Sequence, residues 1–319
     1  MELIHNPKCF ANHCTLFAIE PNFLSNMLRM IKAGLWQPKR KADEGDGDEE
    51  NGVPGGIPNQ NRKDAAAPYF GDVGYDMYKG GLCVISLNGP MMKTRSKFGG
   101  VSTIDARRAL NYAAKDPACS CILLMIDSPG GTTSGTQELG ETVKMVDAMK
   151  PVHAHIYDMG ASAAYWIASQ ARQVTANATA LVGCIGTYSV IEDSSKAAEM
   201  AGVEVHVLAT GGVKGGSVEG APVKQEVLDH WQSIFDESQK HFTAAVASGR
   251  NMSKKAVSEL ADGRVHLAED AQALGLIDEV ASSEDVAQKM IDKYGAKTAA
   301  APKQRSRNME ADAILKTLE

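Results

Sequence analysis

The chain has 319 residues, 44% of them hydrophobic and 23% charged, with a formal net charge of -6. That length can bury one sizeable core with a small extra unit or a tail, and the acidic balance excludes nonspecific nucleic-acid binding as the main task. The apolar N-terminal stretch 14–36 is broken by Glu20, Pro21, Asn22, Asn26, Arg29 and Lys32, so it predicts neither a membrane span nor a signal peptide, and a cytoplasmic chain is expected.

Residues 1–36 predict a small helical element, with Phe17, Ile19, Phe23, Leu24, Met27, Leu28 and Ile31 partly at helical spacing. His5, Cys9, His13 and Cys14 lie close enough together to consider zinc, but their spacing matches no common ligand pattern. Residues 37–74 combine the basic Lys39, Arg40 and Lys41 with an acidic run and a Gly/Pro/Asn-rich stretch, the composition of a disordered linker. The main domain is expected over 75–281 and a helical or flexible tail over 282–319. The six cysteines, Cys9, Cys14, Cys83, Cys119, Cys121 and Cys184, show no framework spacing and fit reduced thiols.

Inside the main domain, GLCVISLNGPM (81–91) reads as a strand and turn and VSTIDARRALNYAAKD (101–116) as an amphipathic helix. CSCILLMID (119–127) is the continuous apolar run of a strand buried on both faces. A helix ending before Pro151, a strand over PVHAHIYD, a helix over SAAYWIASQA and a strand over VEVHVLAT (203–210) follow, then a long helix over 221–250. His153 and His155 fall on one face of their strand, read as partly exposed. Alternating strands and helices predict an α/β fold with a largely parallel sheet.

Two junctions carry possible chemistry. In MIDSPGG (125–131) a strand ends in two glycines, Gly130 and Gly131, ahead of a helix, so backbone N–H groups can face an anion without Cβ obstruction. In DMGASAAYWIA (158–168) Ser162 stands at the next strand-to-helix junction. A serine there is commonly a helix cap, but Gly160, Ala161, Ala163 and Ala164 keep bulk away from its hydroxyl, as a nucleophile requires. For the base, His206 lies within an expected strand and does not suit a histidine triad; Lys214, between two glycine pairs, is the alternative.

Taken together, SPGG, GASAAYW, the glycine-flanked Lys214 and GRVHLAEDAQALGLIDEV (263–280) resemble the signal peptide peptidase family of serine peptidases over roughly residues 80–290. The resemblance implies a ClpP/crotonase-like fold of repeated ββα units. It also implies Ser162 as nucleophile, Lys214 as general base, the N–H groups of Gly131 and Ala163 as oxyanion hole, and no cofactor or metal. Serine and lysine of different protomers can work together in relatives, so a homo-oligomer is expected. With no anchor visible, the chain looks more like the phage branch, the capsid assembly or head maturation proteases, which act inside the procapsid on scaffold, portal or themselves. Where relatives often carry a serine that helps hold the lysine, this chain has Cys184, a weaker hydrogen-bond partner. Two other readings share the fold: an inert assembly protein, and a crotonase-type acyl-CoA enzyme, for which no suitably placed glutamate accompanies the two junctions.

Overall fold

In the computed structural model, residues 73–96 and 99–295 are described together with the backbone of 17–19. The zinc candidates, most of the N-terminal element and linker, and the tail past 295 lie outside the described residues.

The core is an eight-stranded, mostly parallel sheet. Its parallel centre consists of β3 (Leu82–Asn88), β6 (Cys121–Ser128) and β8 (Val152–Ala161), in register Leu82 to Cys121 and Ile122 to Val152. These strands are almost wholly buried, as continuous apolar runs require. β2 (Tyr75–Met77) flanks β3 antiparallel, while β9 (Gln173–Ala176) and β10 (Leu181–Gly183) both pair parallel with β8. β11 (Val265–Leu267) closes the β10 edge and β12 (Glu279–Val280) pairs with β9.

A second, four-stranded sheet lies at the carboxyl ends of these strands, in the order β1 (Phe17–Ile19), β7 (Gly130–Thr132), β4 (Met91–Met92) and β5 (Val101–Ser102). Phe17 and Ile19 therefore belong to a strand rather than to a helical face, because β7 offers their backbone an edge to pair with.

One sheet face is covered by α1 (Thr103–Lys115), capped by the Ser102 hydroxyl, by α2 (Thr136–Asp147) and by the short α3 (Ala163–Ala168). α4 (Ser195–Met200) buries no residue. α5 (Gln225–Gly249) is docked through its C-terminal half, where Phe242 stacks on Trp166 at 4.6 Å between ring centres. α6 (Lys254–Leu260) and α7 (Ala268–Ala273) follow. The opposite face is covered by α8 (Ser283–Tyr294), whose Val286, Ala287 and Met290 pack on Leu82, Val84, Leu123 and Met125. The packed body thus runs to Tyr294, beyond the boundary read at 281.

That helix also corrects the reading of the HAH stretch. His153 and His155 are both buried, His155 completely. Its Nδ1 meets Thr175 Oγ1 at 2.9 Å and its Nε2 meets Asn177 Oδ1 at 3.2 Å. His153 packs edge-on against Tyr294. Desolvation by burial brings both imidazoles down to about 4, so each is neutral in the folded protein.

VEVHVLAT is the other departure. Residues 203–210 form no strand, and Leu208 is 97% exposed. Both sides of β10, the last strand before them, are taken by β8 and β11, so the alternating segment cannot pair with the strand that precedes it.

Candidate active site

The site grows from the ends of β6 and β8. Ser128 pairs with Gly160 across the two strands, after a shift in register that follows Ile126. Gly160 allows that irregularity: a Cβ there would press into the Ile156 side chain. Two residues beyond Gly160 stands Ser162, between the last residue of β8 and the first of α3.

Ser162 has φ 56° and ψ -120°, a conformation that costs a non-glycine residue on the order of 1–3 kcal/mol. The fold holds it there from both sides. Its N–H donates to Gly183 O at 2.7 Å, and its carbonyl accepts from Trp166 N at 2.9 Å, closing the first turn of α3. Its hydroxyl makes no cap hydrogen bond, which sets aside the capping role considered for it; instead Oγ donates to Gly186 O at a long 3.4 Å. A strained serine on a sharp strand-to-helix turn aims its oxygen outward from the backbone, the geometry of an exposed nucleophile. Here the residue is fully buried.

Behind the turn, α3 is anchored on all sides. Tyr165 donates to Leu276 O at 2.7 Å, and Arg250 grips Asp278 through two contacts of 2.7 and 2.9 Å. Asp278 also accepts from Val174 N, and although burial raises its pKa, these partners leave it below the usual carboxylate range. Gly249 packs so closely under Ser169 that a Cβ would strike its carbonyl.

Gly130 and Gly131 do not form a turn that opens a helix directly. They are part of β7, and α2 begins only at Thr136 after Gly135 in the left-handed region. Gly130 has φ 92°, and its N–H donates to Ser128 Oγ at 3.2 Å. Gly131 lies against β4 in register with Met91, where a Cβ would collide with the Met91 carbonyl. Ala163 opens α3, so its N–H is among the first-turn donors that a helix leaves without an internal acceptor. Beside them, burial and then the neighbouring Asp158 carboxylate raise the pKa of Asp127.

The structure brings the helix opened by Ala163, just after Ser162, against the strand of Gly130 and Gly131. Lys214 is exposed, in a loop whose Gly212 and Gly216 pack on Glu226 and Val227 in the first turn of α5. Next to the Ser162 contact at Gly186, Thr187 touches the same helix at Phe235 O, eight residues further on, roughly 12 Å along the axis. Among the described residues no hydrogen bond joins Ser162 to Lys214. Cys184 is buried with φ 52°, and its N–H donates to Arg264 O at 2.7 Å. The four described cysteines are unbridged, no cluster of three or more His, Cys, Asp or Glu is present among the described residues, and no described helix is long and apolar enough to cross a membrane.

A mixed α/β body with a parallel-rich sheet, presenting a strained serine at a strand-to-helix turn beside a glycine strand, places the chain in the α/β class. Comparison with known proteins narrows the class. Residues 144–297 match the family described as peptidase family S49. The chain is 31% identical to a putative protease of Synechocystis over 206 residues, covering 61% of this chain and 73% of that protein. It is 29% identical to a putative protease of Methanocaldococcus jannaschii over 189 residues, covering 58% of this chain and 61% of that one. To the capsid assembly protease C of Escherichia phage lambda it is 30% identical over 226 residues, covering 68% of this chain and half of the phage protein. The chain belongs to peptidase family S49.

Proposed function

We propose that the protein is a serine endopeptidase with a Ser162/Lys214 dyad on a ClpP/crotonase-like fold. The observation that carries this reading is the backbone of Ser162, strained to φ 56° at the end of β8 and flanked by Gly130, Gly131 and Ala163. Ser162 Oγ attacks the peptide carbonyl, the N–H groups of Gly131 and Ala163 receive the charge that develops on its oxygen, and Lys214 takes the hydroxyl proton and returns it to the leaving amine. An ordinary lysine, with a pKa of about 10.4, is protonated at neutral pH, so the base has to be desolvated to act; lowering it by three units corresponds to roughly 4 kcal/mol.

The exposed position of Lys214 favours a base delivered between copies of the chain. Within residues 190–218, the same stretch of chain, Val190, Met200, Val203, Leu208 and Val218 are all more than 40% exposed, apolar side chains that a neighbouring copy would cover, desolvating the lysine as it did so. Similarity to a capsid assembly protease supports a polypeptide substrate in a capsid, such as scaffold, portal or the chain itself, met in the host cytoplasm or procapsid interior.

The test is intact mass over time for the wild-type chain, Ser162→Ala and Lys214→Ala, alone and with candidate scaffold protein, together with an equimolar mixture of the two variants. Cleavage lost in each variant and regained in the mixture is the expected result. Cleavage that survives Ser162→Ala would overturn the serine mechanism.

A further inference from the structure

The strand β7, beside the nucleophile, is paired on both sides. On one side is β4, parallel; on the other is β1, antiparallel, with Phe17 opposite Thr132, Ala18 opposite Gly131 and Ile19 opposite Gly130. Without β1, β7 would be the edge of the four-stranded sheet, presenting unpaired N–H and C=O groups. Such an edge binds any extended polypeptide by adding it as a strand, with backbone hydrogen bonds supplying affinity. Gly130 and Gly131 add no side chains that would obstruct an incoming backbone.

The position of this edge gives it meaning. β7 starts two residues after Ser128, Ser128 pairs with Gly160, and Ser162 follows Gly160 by two. A strand added to β7 therefore extends the sheet that adjoins the nucleophile turn. β1 already holds that place, and Ser162 is fully buried.

Resting on the peptidase reading above, we infer that the β7 edge is the polypeptide-binding site and that Phe17–Ile19 occupies it as a tethered competitor, which an incoming substrate must displace. The resident triplet is uncharged and apolar, which fixes the class of occupant as an extended apolar segment. Residues 20–74 make the pairing intramolecular, so a free peptide competes against a local concentration that does not fall on dilution. Its apparent affinity is reduced by the fraction of molecules in which β1 is displaced.

The test uses the full-length chain. Proline at position 18 removes a backbone N–H and disfavours the paired strand. In Ala18→Pro, the amides of residues 130–132 should exchange hydrogen roughly tenfold faster than in wild type. A labelled peptide with the sequence of residues 14–24 should bind about tenfold tighter to Ser162→Ala/Ala18→Pro than to Ser162→Ala. Both measurements work without catalysis, so a failure of the peptidase reading leaves them interpretable. If Ala18→Pro does not fold, wild type answers instead: saturating peptide should raise exchange at 17–19 while residues 130–132 stay protected. Unchanged exchange and affinity would overturn the inference. So would cleavage of the wild-type chain within 17–19, since that occupant would be consumed rather than displaced.

Discussion

The turn that carries Ser162 and the lobe that carries Lys214 are built on opposite principles. Around Ser162 every residue from Ala161 to Ala168 is buried, and strained backbone is held by hydrogen bonds to Gly183 and Trp166. Residues 187–226 bury little beyond Ala221, and the N-terminal half of α5 buries only Val227. One protomer can therefore hold a serine in an unfavourable conformation by packing alone, because the surrounding core stores the strain. Among the described residues, by contrast, Lys214 lies exposed. What differs is whether the surroundings that a group needs come from its own chain.

Five measurements sharpen or break this contrast. The largest effect is on activity: Ser162→Ala and Lys214→Ala should each lower hydrolysis on the order of 10⁴-fold or more, yet leave folding intact. Ser162→Gly should be as inactive but more stable by about 1 kcal/mol, since glycine adopts a positive φ without strain. If denaturant titration shows no gain, the turn is not strained as described. Next, Gly131→Ala should cost on the order of 3 kcal/mol in chemical unfolding, because its methyl group has to displace the Met91 carbonyl. A near-neutral result would mean that the β4–β7 contact is loose.

Acid should reveal the buried histidines. His155 has a folded pKa of about 4 against an ordinary 6.5, so the unfolded chain binds more protons between those values. Its neutral burial contributes fully above pH 6.5 and is lost as pH falls toward 4, by up to about 3 kcal/mol, with His153 acting in the same direction. His155→Gln should flatten the slope of unfolding free energy between pH 6.5 and 5; an unchanged slope would place the imidazole in water. The smallest effect belongs to the lobe. Leu208→Glu should change unfolding by less than about 0.5 kcal/mol while shifting sedimentation toward smaller species. A large loss of stability there would show that Leu208 packs within its own protomer.

Much of the site was legible because its signals are local. The small residues around Ser162 announce a strand-to-helix junction and the apolar run announces β6, each within a dozen residues, whereas the two glycines after β6, read as a helix-opening turn, lie in strand β7. Other features were decided at long range. Alternation marks His153 and His155 as sharing a face but says nothing of α8, more than a hundred residues later, which covers that face. Phe17 and Ile19 suit a helical spacing as well as a strand, and only the free side of β7 settles the choice. In 203–208 the pattern of a strand is present but no pairing is made, and the preceding strand β10 already has β8 and β11 on its two sides.

The sequence by itself determined the α/β class, the buried parallel strands and the place of Ser162 at a strand-to-helix junction, because periodicity and backbone permissiveness act over a few residues. The tertiary structure decided the strain at Ser162, the burial of the histidines, the exposure of Lys214 and the strand laid along β7. Each of those depends on which surfaces meet, and contacts between distant segments are fixed by packing and available edges rather than by any local run of residues.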